Sequence, residues 1–356
     1  MGKTPTSKLA ALGLYVDPDT GQVISTHSML KTMRRCPKQA QYKYVERLKP
    51  KMLGRPLRFG TWMHELYEEH HKGGDWKAIH ARNTKRFKGF FEEERAELGD
   101  LPGDCKRTMD AYLWHYQHDD WKILETEFLL EVELPDGALY RGKVDMLIEN
   151  EYGLWIVDHK NHKTMPDNTF RLLDAQSALY VWAALLNKYE VQGHIWNYVK
   201  SKPPSIPAML KDGTRLSKSK CDTDYITLLR TIQVNGLNPA DYKDWLGRLK
   251  AHQYRHGEPQ VSSFFQRVVL EKPKGMLKKV AQEAYTTHKR MHSYNWENAD
   301  GVERVVDRSC TYMCSYTDLC TAELFGGNGE QIRRSQFTQG DPLDYYKDDD
   351  PKLKGS

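Results

Sequence analysis

Long apolar runs are missing from this sequence. The longest, Ala178 to Leu186, has nine residues, against the roughly 20 that a helix needs to span a bilayer. Cysteine is scarce, with six in 356 residues, which excludes a disulfide-built scaffold at this length. The opening MGKTPTSKLAALGLYVD lacks the apolar core of a secretory signal, so a cytoplasmic protein is expected. Gly2 followed by Thr6 fits the loose myristoylation pattern, but Pro5 and the want of a second anchor argue against it. No GxxxxGK[ST] loop occurs, which excludes a motor built on that phosphate-binding motif. Neither charge sign dominates: 53 Lys and Arg against 48 Asp and Glu leave +5. That permits a nucleic-acid partner without demanding one.

Aromatic residues are plentiful, with nine Trp, twenty Tyr and ten Phe, enough for a substantial core. The length suits about two domains, or one large domain with insertions. Residues 1–24 read as a leader. Ser25 to Lys49 reads as a helix interrupted at Pro37. Phe59, Trp62, Met63, Leu66, Tyr67 and His70 recur at helical spacing, and further helix is expected over 76–118. Residues 123–134, 139–149 and 154–160 then read as three strands, with turns at Asp136-Gly137 and Asn150 to Gly153. Helix returns at 170–189 and a strand at 193–200. Residues 205–298 read as a mostly helical insertion, 299–325 as a cysteine-bearing cap, and 326–356 as a polar flexible tail.

The informative segment is RGKVDMLIENEYGLWIVDHKN. If its two strands pair tightly around Glu151 and Tyr152, Asp145 falls directly across from Asp158. Such cross-strand neighbours have Cβ atoms about 4.5–5.5 Å apart. Lys160, two residues beyond Asp158, points to the same face. Like charges set opposite each other destabilise a sheet, and a divalent cation that prefers carboxylate oxygens removes the conflict. The plainer alternative is a surface hairpin in which Lys160 neutralises Asp158. His64 sits beside the apolar stripe of its helix rather than within it, with Glu68 one turn later. Glu127, on the preceding strand, could join the site, although a solvated face is the better reading for Glu127 and Glu68 alike.

Three cysteines crowd into eleven residues as Cys310-x3-Cys314-x5-Cys320, with Cys36 far upstream. Cys105 and Cys221 read as ordinary thiols. Phe264, Phe265 and Arg267 could stack on bases and contact phosphate, but a core strand accounts for the aromatics more simply.

Together these fragments resemble the RecB-like branch of the PD-(D/E)XK nuclease superfamily. Its pattern is an early His, then G-x-V-D, D-x-K and Q-x3-Y. Here these are His64, Gly142 to Asp145 (GKVD), Asp158 to Lys160 (DHK) and Gln176 to Tyr180 (QSALY), in order. The cysteine arrangement is similar to that of CRISPR-associated iron–sulfur exonucleases and AddB-type nuclease domains. The resemblance covers about residues 25–200 and 300–325. It implies an α/β, restriction-endonuclease-like core, a mixed central sheet flanked by helices. It implies a catalytic set of Asp145, Asp158 and Lys160. His64, Asp145, Asp158 and the backbone carbonyl of His159 would hold Mg²⁺ or Mn²⁺, and Gln176 and Tyr180 would line the site and contact nucleic acid. Cys36, Cys310, Cys314 and Cys320 would hold one [4Fe–4S] cluster, with Zn²⁺ as the chemical alternative, stapling the two ends of the chain. The implied activity is a metal-dependent DNA exonuclease acting on single strands or duplex ends, in phage or prokaryotic recombination, repair or CRISPR adaptation, with a recombination or helicase protein as a possible partner. The alternatives are a non-catalytic nucleic-acid-binding subunit and a structure-specific endonuclease of the same superfamily.

Overall fold

The structure is a computed structural model and describes Val16 and residues 21–217, 219, 221–253, 262–296 and 298–344. Most of the expected leader, the Gly2–Thr6 pattern and the last residues of the tail lie outside them.

Capping and proline chemistry set the first elements. The Thr26 side chain, at the end of β1 (Ile24–Thr26), accepts from the Met29 amide and starts α1 (His27–Arg35). Pro37 does not kink this helix; it opens a new one, α2 (Pro37–Ala40), the first-turn position where its missing N–H costs nothing. A π-helical turn (Gln41–Val45) and β2 (Leu48–Pro50) follow. Helix α3 (Arg55–His71) buries Phe59, Trp62, Met63, Leu66 and Tyr67, the expected stripe. The helical stretch after it divides into α4 (Trp76–Lys88), α5 (Glu92–Leu98) and α6 (Leu101–His115). The division near 99 has a local cause: Gly99 takes φ 58° and Asp100 caps α6.

The expected strands form as β3 (Lys122–Glu133), β4 (Leu139–Asn150) and β5 (Gly153–His162). The helix expected over 170–189 is split into α7 (Asn168–Leu173) and α8 (Ala175–Leu186), because Asp174 turns extended and its carboxylate caps α8. Strand β6 (Val191–Lys200), α9 (Tyr225–Val234), α10 (Lys243–Gln253), β7 (Phe265–Glu271), α11 (Lys274–Ser293), α12 (Thr317–Leu324), α13 (Gly329–Gln336) and β8 (Phe337–Gln339) complete the chain.

The main sheet is mixed. Strand β3 runs antiparallel along one edge of β4. The other edge of β4 is shared between β1, parallel at Leu139 to Arg141, and β5, antiparallel from Met146 to Asn150. Then β6 lies parallel to β5, and β7 antiparallel to β6. One large apolar cluster unites α1, α8 and α11 with the sheet; another unites α3, α4 and α6 with Val199, Phe264 and Phe265.

Two expectations about organisation are corrected, and one is met. Residues 265–271 are a sheet strand, so the helical insertion is smaller than 205–298. For Phe264, Phe265 and Arg267 the core-strand reading holds: the two rings are buried, and Arg267 pairs with Asp119 between the rings of Tyr116 and Trp121. The segment after 326 is folded as far as 344, because Asn328 caps α13 and Phe337 and Leu343 are buried.

The two ends of the described chain are joined, but not by thiols alone. Strand β2 pairs with β8, and Tyr42, Leu48, Tyr316, Leu319 and Phe337 form a small core beneath the pair. Glu323 gathers Lys38, Arg304 and Arg333 and accepts from the Tyr42 hydroxyl. Cys36, Cys310, Cys314 and Cys320 are free thiols that line one cavity of about 150 Å³. Among the described residues no three of their sulfurs lie within 4.8 Å of one another, so the compact thiol cluster expected from the sequence is not present as such. A single tetrahedral zinc would need separations of about 4 Å.

Candidate functional site

The anticipated hairpin register is the observed one: Met146 faces Val157, Leu147 faces Ile156, and Asn150 faces Gly153 around the Glu151–Tyr152 turn. The ladder stops one residue short of Asp145 and Asp158. Because β1 pairs with β4 only up to Arg141, Gly142 to Asp145 have no strand partner on that edge. The sheet therefore forks at the two aspartates. At the fork the His159 amide donates to Asp145 Oδ2 at 2.6 Å, a side-chain acceptor standing where a ladder bond would otherwise fall.

Strand β3 adds a residue for which a solvated face was expected. Glu127 lies between the pairs Thr126–Met146 and Phe128–Val144, hence opposite Asp145, and its φ is 52°. A left-handed conformation in a non-glycine strand residue costs on the order of 1–3 kcal/mol and concentrates at functional sites. His64 enters from α3, with Nδ1 3.4 Å from Asp145 Oδ2. The ligand atoms of His64, Glu127 and Asp145 all lie within 4.8 Å of one another. Lys143 Nζ is 3.2 Å from Glu127 Oε2, and Lys160 pairs with Asp158.

The electrostatics follow from burying these groups together. Burial would raise the Asp145 carboxyl, but His64 and Lys160 outweigh it and hold it well below the usual carboxylate range. Burial and the repulsion of Asp145, against the pull of Lys160, push Asp158 up to about 7. Glu127 is raised by burial and by Asp145. Burial works against the charged forms of His64 and Lys160, yet the aspartates win and raise both. The result is one fully ionised carboxylate, one that shares its proton near neutrality, and an ammonium locked in its charged form.

His159 supports the fork from behind. Its ring stacks on Tyr67 at 4.5 Å between centroids, and its Nδ1 lies 2.9 Å from Asn197 Nδ2. Asn197 also donates to the Tyr112 hydroxyl, which His71 approaches at 3.2 Å. Burial pushes the imidazole well below its ordinary value, so the ring is a neutral anchor for the backbone beside Asp145. Tyr67, His71, Tyr112 and Asn197 carry no short-range signal, since they converge from three elements far apart in sequence. His27, half-buried at the start of α1, is a further neighbour; burial lowers it to about 4, with Asp174 opposing and Lys160 assisting.

Gln176 Nε2 donates to the Tyr180 hydroxyl at 2.9 Å. Tyr180 is a core residue whose ring lies over Gly142, where an added Cβ would stand 2.9 Å from it. That contact gives the glycine of GKVD a structural reason. It leaves half-buried Gln176, rather than Tyr180, as the more accessible member of the pair.

Carboxylates and one imidazole converging on a small volume are the donor set that Mg²⁺ and Mn²⁺ accept, and a cation there relieves the repulsion among Glu127, Asp145 and Asp158. The residues present fit a divalent ion.

Residues 25–321 match the PD-(D/E)XK nuclease superfamily. The chain belongs to that superfamily. As a superfamily member it is a nuclease-fold protein whose substrates are nucleic acids. No curated protein matches the chain. Among solved structures, a protein from Eubacterium rectale named "Putative exonuclease" is 12% identical, with 89% of this chain and 93% of that one covered and a TM-score of 0.43. The protein SSO0001 is 12% identical, with 90% and 98% covered and a TM-score of 0.30. Likenesses this distant say nothing of the activity. Among the described residues no helix is long and apolar enough to cross a membrane.

Proposed function

We propose that this nuclease-superfamily chain is a metal-dependent deoxyribonuclease, acting as an exonuclease on single-stranded DNA or duplex ends. One observation carries the reading: His64, Glu127 and Asp145 direct ligand atoms to one point in a forked sheet, beside the buried pair of Asp158 and Lys160.

His64, Glu127 and Asp145, with Asp158 and the His159 carbonyl beside them, would hold a Mg²⁺ or Mn²⁺ ion, which when bound would supply Lewis-acid chemistry toward a phosphodiester and water. Asp145 is ionised throughout the neutral range and forms the permanent anionic anchor. Asp158 must release a proton to act as a ligand. A general base would need a depressed pKa to accept a proton at neutrality, and Lys160 is shifted the other way. Lys160 therefore acts as a cation, orienting the attacking water through its N–H donors and offsetting charge that builds on the phosphate oxygens. His64, hydrogen-bonded within the cluster, positions Asp145. Gln176 faces substrate from the first turn of α8.

The four cysteines at 36, 310, 314 and 320 form, in the same proposal, a [4Fe–4S] site. Its support is their common cavity, in which Arg35, Lys38 and Arg304 supply positive charge beside the thiols.

The test is incubation with end-labelled single- and double-stranded DNA, with and without Mn²⁺. Mononucleotides or short products released from an end, only with metal, are expected. Internal cuts would replace the exonuclease by an endonuclease. DNA binding without any cleavage would leave a non-catalytic subunit.

A further inference from the structure

A second cluster of ligating groups lies away from the fork, where the β3–β4 turn meets α11. His288 is fully buried. Its Nε2 lies 2.9 Å from Asp136 Oδ2 in the turn, and 2.9 Å from Nε2 of His292, one helical turn later. Its Nδ1 lies 2.7 Å from Ser25 Oγ on β1. The other Asp136 oxygen accepts from the Ala138 amide. The three ligand atoms of Asp136, His288 and His292 all fall within 4.8 Å of one another.

Protons alone serve this arrangement poorly. A neutral imidazole carries one N–H. If Ser25 donates to Nδ1, the single proton on Nε2 is divided between the Asp136 carboxylate and an inward lone pair of His292, or meets a His292 N–H head-on. If Nε2 is bare, its lone pair faces the carboxylate. An imidazolium would donate at both nitrogens, yet its one Nε2–H would still be divided between Asp136 and an inward lone pair of His292. Three Lewis-basic atoms thus converge where a cation satisfies all of them at once.

We propose that Asp136, His288 and His292 form a second metal site, for Zn²⁺. Two imidazoles and one carboxylate are a zinc donor set. Bonds of about 2.0–2.2 Å at tetrahedral angles put ligand atoms about 3.3–3.6 Å apart, so the two separations of 2.9 Å need an outward adjustment of about half an ångström. Ser25 supplies the outer hydrogen bond that fixes the ring of a metal-bound histidine. A fourth position is left for water. The site is separate from the fork: Leu139 and Asp145 are six residues apart on β4, about 20 Å of strand. Zinc here would pin the β3–β4 turn to the C-terminal end of α11, from which the chain leads to the cysteine-bearing segment. Its role is to hold architecture rather than to cleave DNA.

The test uses the full chain carrying Asp145→Ala, so that the fork does not compete, and compares it with His292→Ala and Asp136→Asn added singly. Zn²⁺ titration by calorimetry should show, beyond any uptake by the thiols of the cysteine cavity, one binding event in the parent that weakens at least tenfold in both added variants while the thiol uptake is unchanged, with loss of the corresponding zinc-induced rise in melting temperature. A zinc-edge anomalous map of Zn²⁺-soaked wild-type crystals should place a peak among the three side chains. An unchanged number and affinity of zinc-binding events in parent and variants would overturn the proposal. So would a map with no peak there, which decides the matter even if a variant fails to fold. Neither outcome bears on whether the fork cleaves DNA.

Discussion

Asp158 shows how burial at a single residue sets the conditions of chemistry. An isolated aspartate is ionised above about pH 4; here burial and Asp145 push it up to about 7. A metal ligand must be deprotonated, so the ion competes with a proton. The sign follows: lowering the pH through 7 protonates Asp158 and weakens binding. Mn²⁺ titrations should therefore show affinity falling at least about tenfold per unit below pH 7, more steeply where the His64 imidazole, raised by the aspartates, must also give up a proton. A flat profile between about pH 5.5 and 8.5 would contradict the assignment of Asp158 as a ligand. Glu127 stores strain for the same site. Glu127→Gln should weaken Mn²⁺ about 10–100-fold. Glu127→Gly should lose as much affinity yet unfold about 1 kcal/mol harder than Glu127→Ala, because glycine accepts a positive φ without penalty. Equal stability of the Gly and Ala variants in urea would remove the strain argument. Asp145, Asp158 and Lys160 were legible in the sequence because a two-residue turn fixes the register of the strands that carry them. Glu127 was not, because its inward orientation depends on a backbone conformation that residue type alone does not announce.

At the scale of elements, α8 packs tightly on the sheet where Tyr180 lies over Gly142. Gly142→Ala places a methyl 2.9 Å from the ring in a core that has little room to give. Overpacking of this kind costs about 1–3 kcal/mol, read as a lower urea midpoint at unchanged slope. An unchanged midpoint would mean that the ring moves freely and that the motif glycine serves another purpose. The hairpin and the α3 stripe were readable because period and turn chemistry agreed. Strand β7 was readable from the texture of FQRVVLE, but its helical neighbours concealed that it joins the main sheet. Helix α13 and β8 were hidden by polar composition, since Ile332, Phe337 and Leu343 are enough to dock them but too few to form a pattern.

Across the whole molecule, a mixed sheet held by helices presents its one forked seam to a set of carboxylates, while β2–β8, Glu323 and the cysteine cavity draw the chain ends together. The thiols were visible as a spacing, but their separation in space was not. On the iron–sulfur proposal, wild-type protein is brown and contains iron and sulfide. Cys314→Ala should then lose the colour together with thermal stability. A colourless, zinc-loaded and stable wild type would contradict it. The convergence of Tyr67, His71, Tyr112 and Asn197 behind His159, and of Asp136 with α11, lay beyond any local reading, because each depends on where distant elements pack.

The most direct measurement is the rate at which wild type and Asp145→Ala release label from DNA ends in Mn²⁺, taken with their melting temperatures. The account predicts a loss of at least about a hundredfold in the variant with the fold retained; comparable rates in the two proteins would contradict it.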